Sequence, residues 1–86
     1  MNTAIMMMAM YNARPIIPSE IVAKDWFNLE VSKFHEKIRK GDIGVPLVLM
    51  EEGSQKCAKG VHLLDLAAYI DARREAAEKE LQQMGR

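Results

Sequence analysis

Hydrophobic positions change their spacing from segment to segment along this chain, and each change predicts an element boundary. Residues 3–11 are rich in alanine and methionine, both good helix formers, and predict a short, mostly buried N-terminal helix capped by Asn2 or Thr3. Its cluster Met6, Met7, Met8 and Met10 reads as core packing rather than as an adaptable thioether surface. Residues 12–17 place Pro15 before two β-branched residues, which predicts a turn into an extended piece ending at Pro18.

A helix is then expected from Pro18 or Ser19 to about Phe27, with Ser19 as its cap, Glu20 favoured by the helix dipole, and Ile21, Val22 and Trp26 facing inward. Asn28 and Leu29 break it. A second helix is expected over residues 30–40, stopping at Gly41, and two helices joined so tightly predict a helix-turn-helix. Within the second helix Val31, Phe34 and Ile38 define a buried face, while Lys33, Lys37 and Lys40 share the opposite one.

Residues 45–50 turn apolar and β-branched, Glu52, Gly53, Ser54 and Gln55 supply turn chemistry, and residues 56–62 complete a β-hairpin, or wing. Residues 63–84 form the longest helical pattern, with Leu66, Ile70, Ala77, Leu81 and Met84 on one stripe. Beyond Ala72 the stripe thins, so the distal half is expected to protrude or to pair with another subunit. Arg73 and Ala77 interrupt it, which makes any coiled coil weak, and a dimer is the expected state. The fold class is therefore α+β, mainly α: a winged helix-turn-helix with a small β-hairpin wing and a long C-terminal helix. A single DNA-binding domain would divide into residues 1–17, 18–41, 45–62 and 63–86.

Composition narrows the function. The chain has 86 residues, 49% of them hydrophobic, enough for one core and one domain. Twelve basic and twelve acidic residues cancel, so any electrostatic site must be local. Cys57 is the only cysteine, which rules out an intramolecular disulfide and a cysteine-rich zinc module and fits a cytoplasmic protein. The apolar run of residues 5–10 is too short to span a bilayer and lacks a basic flank, so no membrane partner is expected.

Candidate chemistry is sparse. No nucleophile stands beside a base, and Cys57 with His62 supplies only two soft ligands, so neither catalysis, a metal nor a cofactor is expected. Glu51 and Glu52 are adjacent and read as a solvated hairpin end; Gly41, Gly44, Gly53 and Gly60 fit no phosphate-binding fingerprint.

The one suggestive constellation is basic. Lys33, Lys37 and Lys40 share a face with Arg39 beside them, and Lys56 and Lys59 lie in a stretch without acids over residues 53–62. Clustered lysines that neutralise phosphates release counterions, so they bind duplex DNA even where the total charge is zero. Ser32, Lys33, Glu36 and Lys37 occupy the first turns of the second helix, where base edges are read, and Glu36 suits a cytosine amino group. Ser54, Gln55, Lys56 and Lys59 would contribute the wing, and Arg73 and Arg74 further backbone contacts. From spacing alone, however, an ordinary solvated helix face is the favoured reading of the same lysines.

Three stretches in this order, RPIIPSEIVAKDWF, KIRKGDIGVPLVLME and SQKCAKGVHLLDLAAYIDARR, resemble the pyocin activator protein family over most of residues 14–74. The third is the most specific, with Ser54-Gln55-Lys56, Lys59-Gly60-Val61-His62-Leu63 and Asp65-Leu66-Ala67. A more distant similarity runs to the AlpA-like and excisionase regulators of phage, carried by Leu29, Ser32, Phe34, Ile38, Gly41, Pro46 and Tyr69. The chain departs from the pattern in its Met-rich start, in Trp26 and in the acidic pair before Gly53.

The resemblance implies a cytoplasmic transcription activator that binds double-stranded promoter DNA ahead of bacteriocin or phage-related genes and works with RNA polymerase. The alternatives are an excisionase-like architectural factor that bends DNA, or a protein-interaction module such as an antirepressor.

Overall fold

The computed structural model describes residues 2–85. Helix α1 (Thr3–Met10) leads to strand β1 (Ile16–Pro18) and helix α2 (Ser19–Val22), which continues as a π-helical segment over Ala23–Phe27. Helix α3 (Val31–Arg39), strands β2 (Val48–Leu49) and β3 (Lys59–His62) and helix α4 (Leu63–Met84) follow. The class is α+β, mainly helical, with a small three-stranded antiparallel sheet.

Strand β3 is the centre of that sheet. It pairs with β1 through Ile16–His62, Ile17–Val61 and Pro18–Gly60, and with β2 through Val48–Gly60 and Leu49–Lys59. Leu63 N–H extends the first pairing by donating to the Pro15 carbonyl at 2.8 Å. The extended piece before Pro18 is therefore a strand, a pairing that depends on residues more than forty positions away and had no local signature. Strand β2 is shorter than its apolar run, because Val45 turns into the core and Pro46 has no N–H to give a ladder.

Gly60 lets strand β1 close on β3. A Cβ at this position would lie 2.5 Å from the Ile17 carbonyl oxygen and 2.6 Å from Ile16 Cγ2. Close backbone approach is what a strand glycine commonly marks.

One hydrophobic cluster holds the elements together. Phe34, Met7, Ile17, Leu66, Val22 and Val61 are its largest fully buried side chains. The rings of Phe27 and Phe34 lie 5.2 Å apart and those of Phe27 and Tyr69 5.6 Å, which joins the π-helical segment, α3 and α4.

The N-terminal helix is not mostly buried, and the methionine cluster is not core. Met7 alone of the four is buried, while Ile5, Met6, Met8 and Met10 are exposed. A two-turn helix lying on a surface has one inward line, here Ala4, Met7 and Tyr11, and a segment apolar all round carries no period from which to find it. Tyr11 anchors the helix by hydrogen bonds: its hydroxyl donates to Asp25 Oδ2 at 2.9 Å and accepts from Trp26 Nε1 at 2.8 Å. Burial, and then the bond to Asp25, push the Tyr11 phenol above its ordinary pKa.

Ser19 does not cap its helix. Pro18, still in β1, holds the cap position, and Ser19 is the first helical residue, buried with its Oγ unbonded. The other expected boundary devices are present. Asn28 takes the left-handed conformation at φ 53°, where asparagine is among the better tolerated residues, and Gly41 ends the next helix at φ 82°.

α4 is long for the domain it serves. Its 22 residues span about 33 Å at 1.5 Å each, and every described residue beyond Ile70 is exposed. The radius of gyration, 14.4 Å, exceeds the roughly 12 Å expected of a compact chain of this length. No helix among the described residues is long and apolar enough to cross a membrane.

Candidate nucleic-acid interface

The turn between the π-helical segment and α3 decides which way α3 faces. Asn28 and Leu29 N–H groups both donate to the Ala23 carbonyl, closing the first helix, and Glu30 in extended conformation starts the second. Phe34 then enters the core completely, with Val31 and Ile38 half-buried beside it. Ser32, Lys33, Arg39 and Lys40 are consequently exposed, with Glu36 and Lys37 half-exposed.

Glu36 organises the outer face. Its carboxylate lies 3.1 Å from Lys40 Nζ and 3.5 Å from Lys33 Nζ, one turn to either side. The Lys40 hydrogen bond, and then the charge of Lys33, hold its carboxyl below the ordinary carboxylate range. Exposed i,i+3 and i,i+4 pairs of this kind are weak and exchange readily, so both lysines stay available to other anions. Among the described residues Lys37 and Arg39 pair with no carboxylate.

The wing residues meet α3 on another side. Lys56, Cys57, Ala58 and Lys59 form one wall of a groove of about 470 Å³, with Ser19, Glu20, Val31 and His35 opposite. At about 100° per residue, His35 lies roughly 140–160° around the helix from Lys33, Lys37 and Lys40. The cations therefore flank α3 in two groups, with Arg39 nearer the groove side, and do not form one uninterrupted ridge.

Within the wing the side chains differ in what they can do. The Lys59 ammonium donates to the carbonyls of Gln55 and Cys57 and so ties the loop back on itself. Lys56 and Gln55 are exposed and Ser54 is half-buried. Glu51 and Glu52 are exposed in the same connection, so the hairpin end carries both signs of charge.

Sequence reading missed His35. Its Nε2 is buried without a hydrogen-bond partner, and burial, with Lys59 and Arg39 nearby, lowers its pKa. A histidine one residue from the fully buried Phe34 was the available signal. His62 is likewise occupied, since its Nδ1 accepts from Leu64 N–H at 3.0 Å and caps α4. Of the two arginines on α4, Arg74 pairs with Glu78 at 3.2 Å and Arg73 borders an apolar groove with Trp26 and Tyr69.

A family model described as pyocin activator protein PrtN matches residues 3–77. The chain belongs to this family. The match runs from α1 into α4 and thus takes in the Met-rich start, which the three resembling stretches had left outside. Comparison with curated proteins and with solved structures gave no match.

Proposed function

We propose that this pyocin activator family member is a sequence-specific DNA-binding activator of bacteriocin or phage-related genes, built as a winged helix-turn-helix. In this reading α2 with its π-helical continuation and α3 are the two helices, α3 enters the major groove, and the β2–β3 hairpin is the wing. Ser32, Lys33, Glu36 and Lys37 read bases, while Arg39, Lys40, Ser54, Gln55 and Lys56 hold the phosphate backbone and Lys59 braces the wing loop that carries them. The protein works by binding, without catalysis or a cofactor, and its partners are promoter DNA and RNA polymerase.

The observation that carries the reading is the solvent-facing side of α3, where Lys33, Lys37, Arg39 and Lys40 surround a single carboxylate in a molecule of zero net charge. A cationic concentration on a neutral chain marks one place for phosphate and leaves the rest indifferent to it. The test is titration of promoter-region and unrelated duplexes at a series of salt concentrations. Log affinity should fall steeply with log salt and be higher for the promoter; an affinity indifferent to salt rejects the reading.

A second reading draws on the exposed side chains of Ile5, Met6, Met8 and Met10. Exposed methionines suit an adaptable protein contact. An antirepressor using this face would bind a repressor and show no affinity for DNA.

A further inference from the structure

The apolar stripe of α4 does not stop where the domain stops. Leu66 is fully buried, Ile70 is packed at the core margin, and Ala77, Leu81 and Met84 continue the same line into solvent. Leu66 and Met84 stand about five turns apart at 3.6 residues per turn and so face the same way. Leu81 and Met84 are 70% and 74% exposed, the highest values among the large hydrophobic residues. A helical extension of this length is marginal in water without tertiary support.

Where the stripe leaves the core there is a groove of about 190 Å³, lined by Trp26, Phe27, Leu66, Tyr69, Ile70 and Arg73. It is almost wholly apolar, and Arg73 stands at its border. The charges along the distal helix divide into two sets. Arg74–Glu78 and Lys79–Glu75 are satisfied within the helix at 3.2 and 3.6 Å. Arg73 and Glu80 have no ion pair among the described residues, and two turns apart on one helix they cannot reach each other.

We infer that the distal half of α4 pairs with that of a second copy of this chain, antiparallel about a two-fold axis at Ala77. An isologous contact of this kind brings each residue beside the one equally far beyond the axis. Ile70 then meets Met84 of the second copy, which reaches the apolar groove beside Trp26 and Phe27. Arg73 lies within about 1.5 Å, along the axis, of Glu80 of the second copy and on the same side of the stripe, so both unpaired charges find partners twice over. Ala77 at the axis allows the helices to approach closely. A parallel pairing would instead set Arg73 against Arg73. The inference is independent of DNA binding.

The test is sedimentation of the full chain over roughly 1 µM to 1 mM, a range wide enough for a modest interface. The wild type should pass from monomer to dimer. Arg73→Glu and Glu80→Arg should each weaken association roughly tenfold, because two ion pairs become two like-charge contacts, and the double variant should recover it. Met84→Asp should also weaken it. All three positions are exposed, so circular dichroism should show the helices retained. A chain that stays monomeric throughout overturns the inference, as do single reversals without effect or a double reversal that fails to recover.

Discussion

Glu36 and Lys40 form the shortest ion pair on α3, 3.1 Å between Oε1 and Nζ, with Lys33 on the other carboxylate oxygen. The carboxylate thus sits in the middle of the cations proposed to meet DNA and offsets part of their charge. Glu36→Gln should raise affinity for a non-specific duplex and steepen its salt dependence, with the fold unchanged. Fluorescence anisotropy of a labelled duplex at several salt concentrations reads both.

Lys37 and Lys56 should separate base reading from backbone holding. Lys37→Ala is expected to cost about 1–3 kcal/mol on the promoter duplex and to relax sequence preference. Lys56→Ala should weaken all duplexes alike and lower the magnitude of the salt slope by about one. Competition binding with promoter and scrambled duplexes distinguishes the two patterns.

Tyr11 ties α1 to the π-helical segment through a hydroxyl that both donates and accepts. Tyr11→Phe keeps the ring but leaves Asp25 and Trp26 without their partner, an expected loss of about 1–2 kcal/mol in urea unfolding. Trp26 fluorescence should change in the native state as well.

Gly60 is the tightest point of the sheet. In Gly60→Ala the added Cβ meets Ile17 backbone, which cannot move aside as a flexible side chain would. The expected cost is about 1–3 kcal/mol in chemical denaturation, with the helices retained up to the unfolding transition.

His35 should make stability pH-dependent. Its pKa is lowered in the fold by burial and by nearby cations, so the unfolded chain binds the proton more readily. The stability that follows from keeping it neutral is complete above the unfolded value near 6.5 and is lost as pH falls from there through the lowered folded value. His35→Gln should flatten that part of the stability profile, measured as urea midpoint against pH.

Much of the local structure was legible because its causes are local. The period of Val31, Phe34 and Ile38 oriented α3, Asn28 and Gly41 marked its two ends, and the thinning stripe beyond Ala72 foretold an exposed helix end. The methionines of α1 misled because a segment apolar on every side contains no information about which side is buried. Ser19 misled because a cap depends on where the preceding strand ends, and that strand exists only through pairing with β3.

The sequence by itself determined the class of the fold, the exposure of the Lys33 and Lys40 side of α3, and the family, since periodicity and motif order are properties of the chain alone. Only the tertiary structure decided that the wing approaches α3 on the His35 side, that Lys59 is bonded within its own loop, and that Tyr11 meets Asp25 and Trp26. Those relations join residues far apart in the chain, and they are set by how β3 and the core pack rather than by any preference that a short segment expresses.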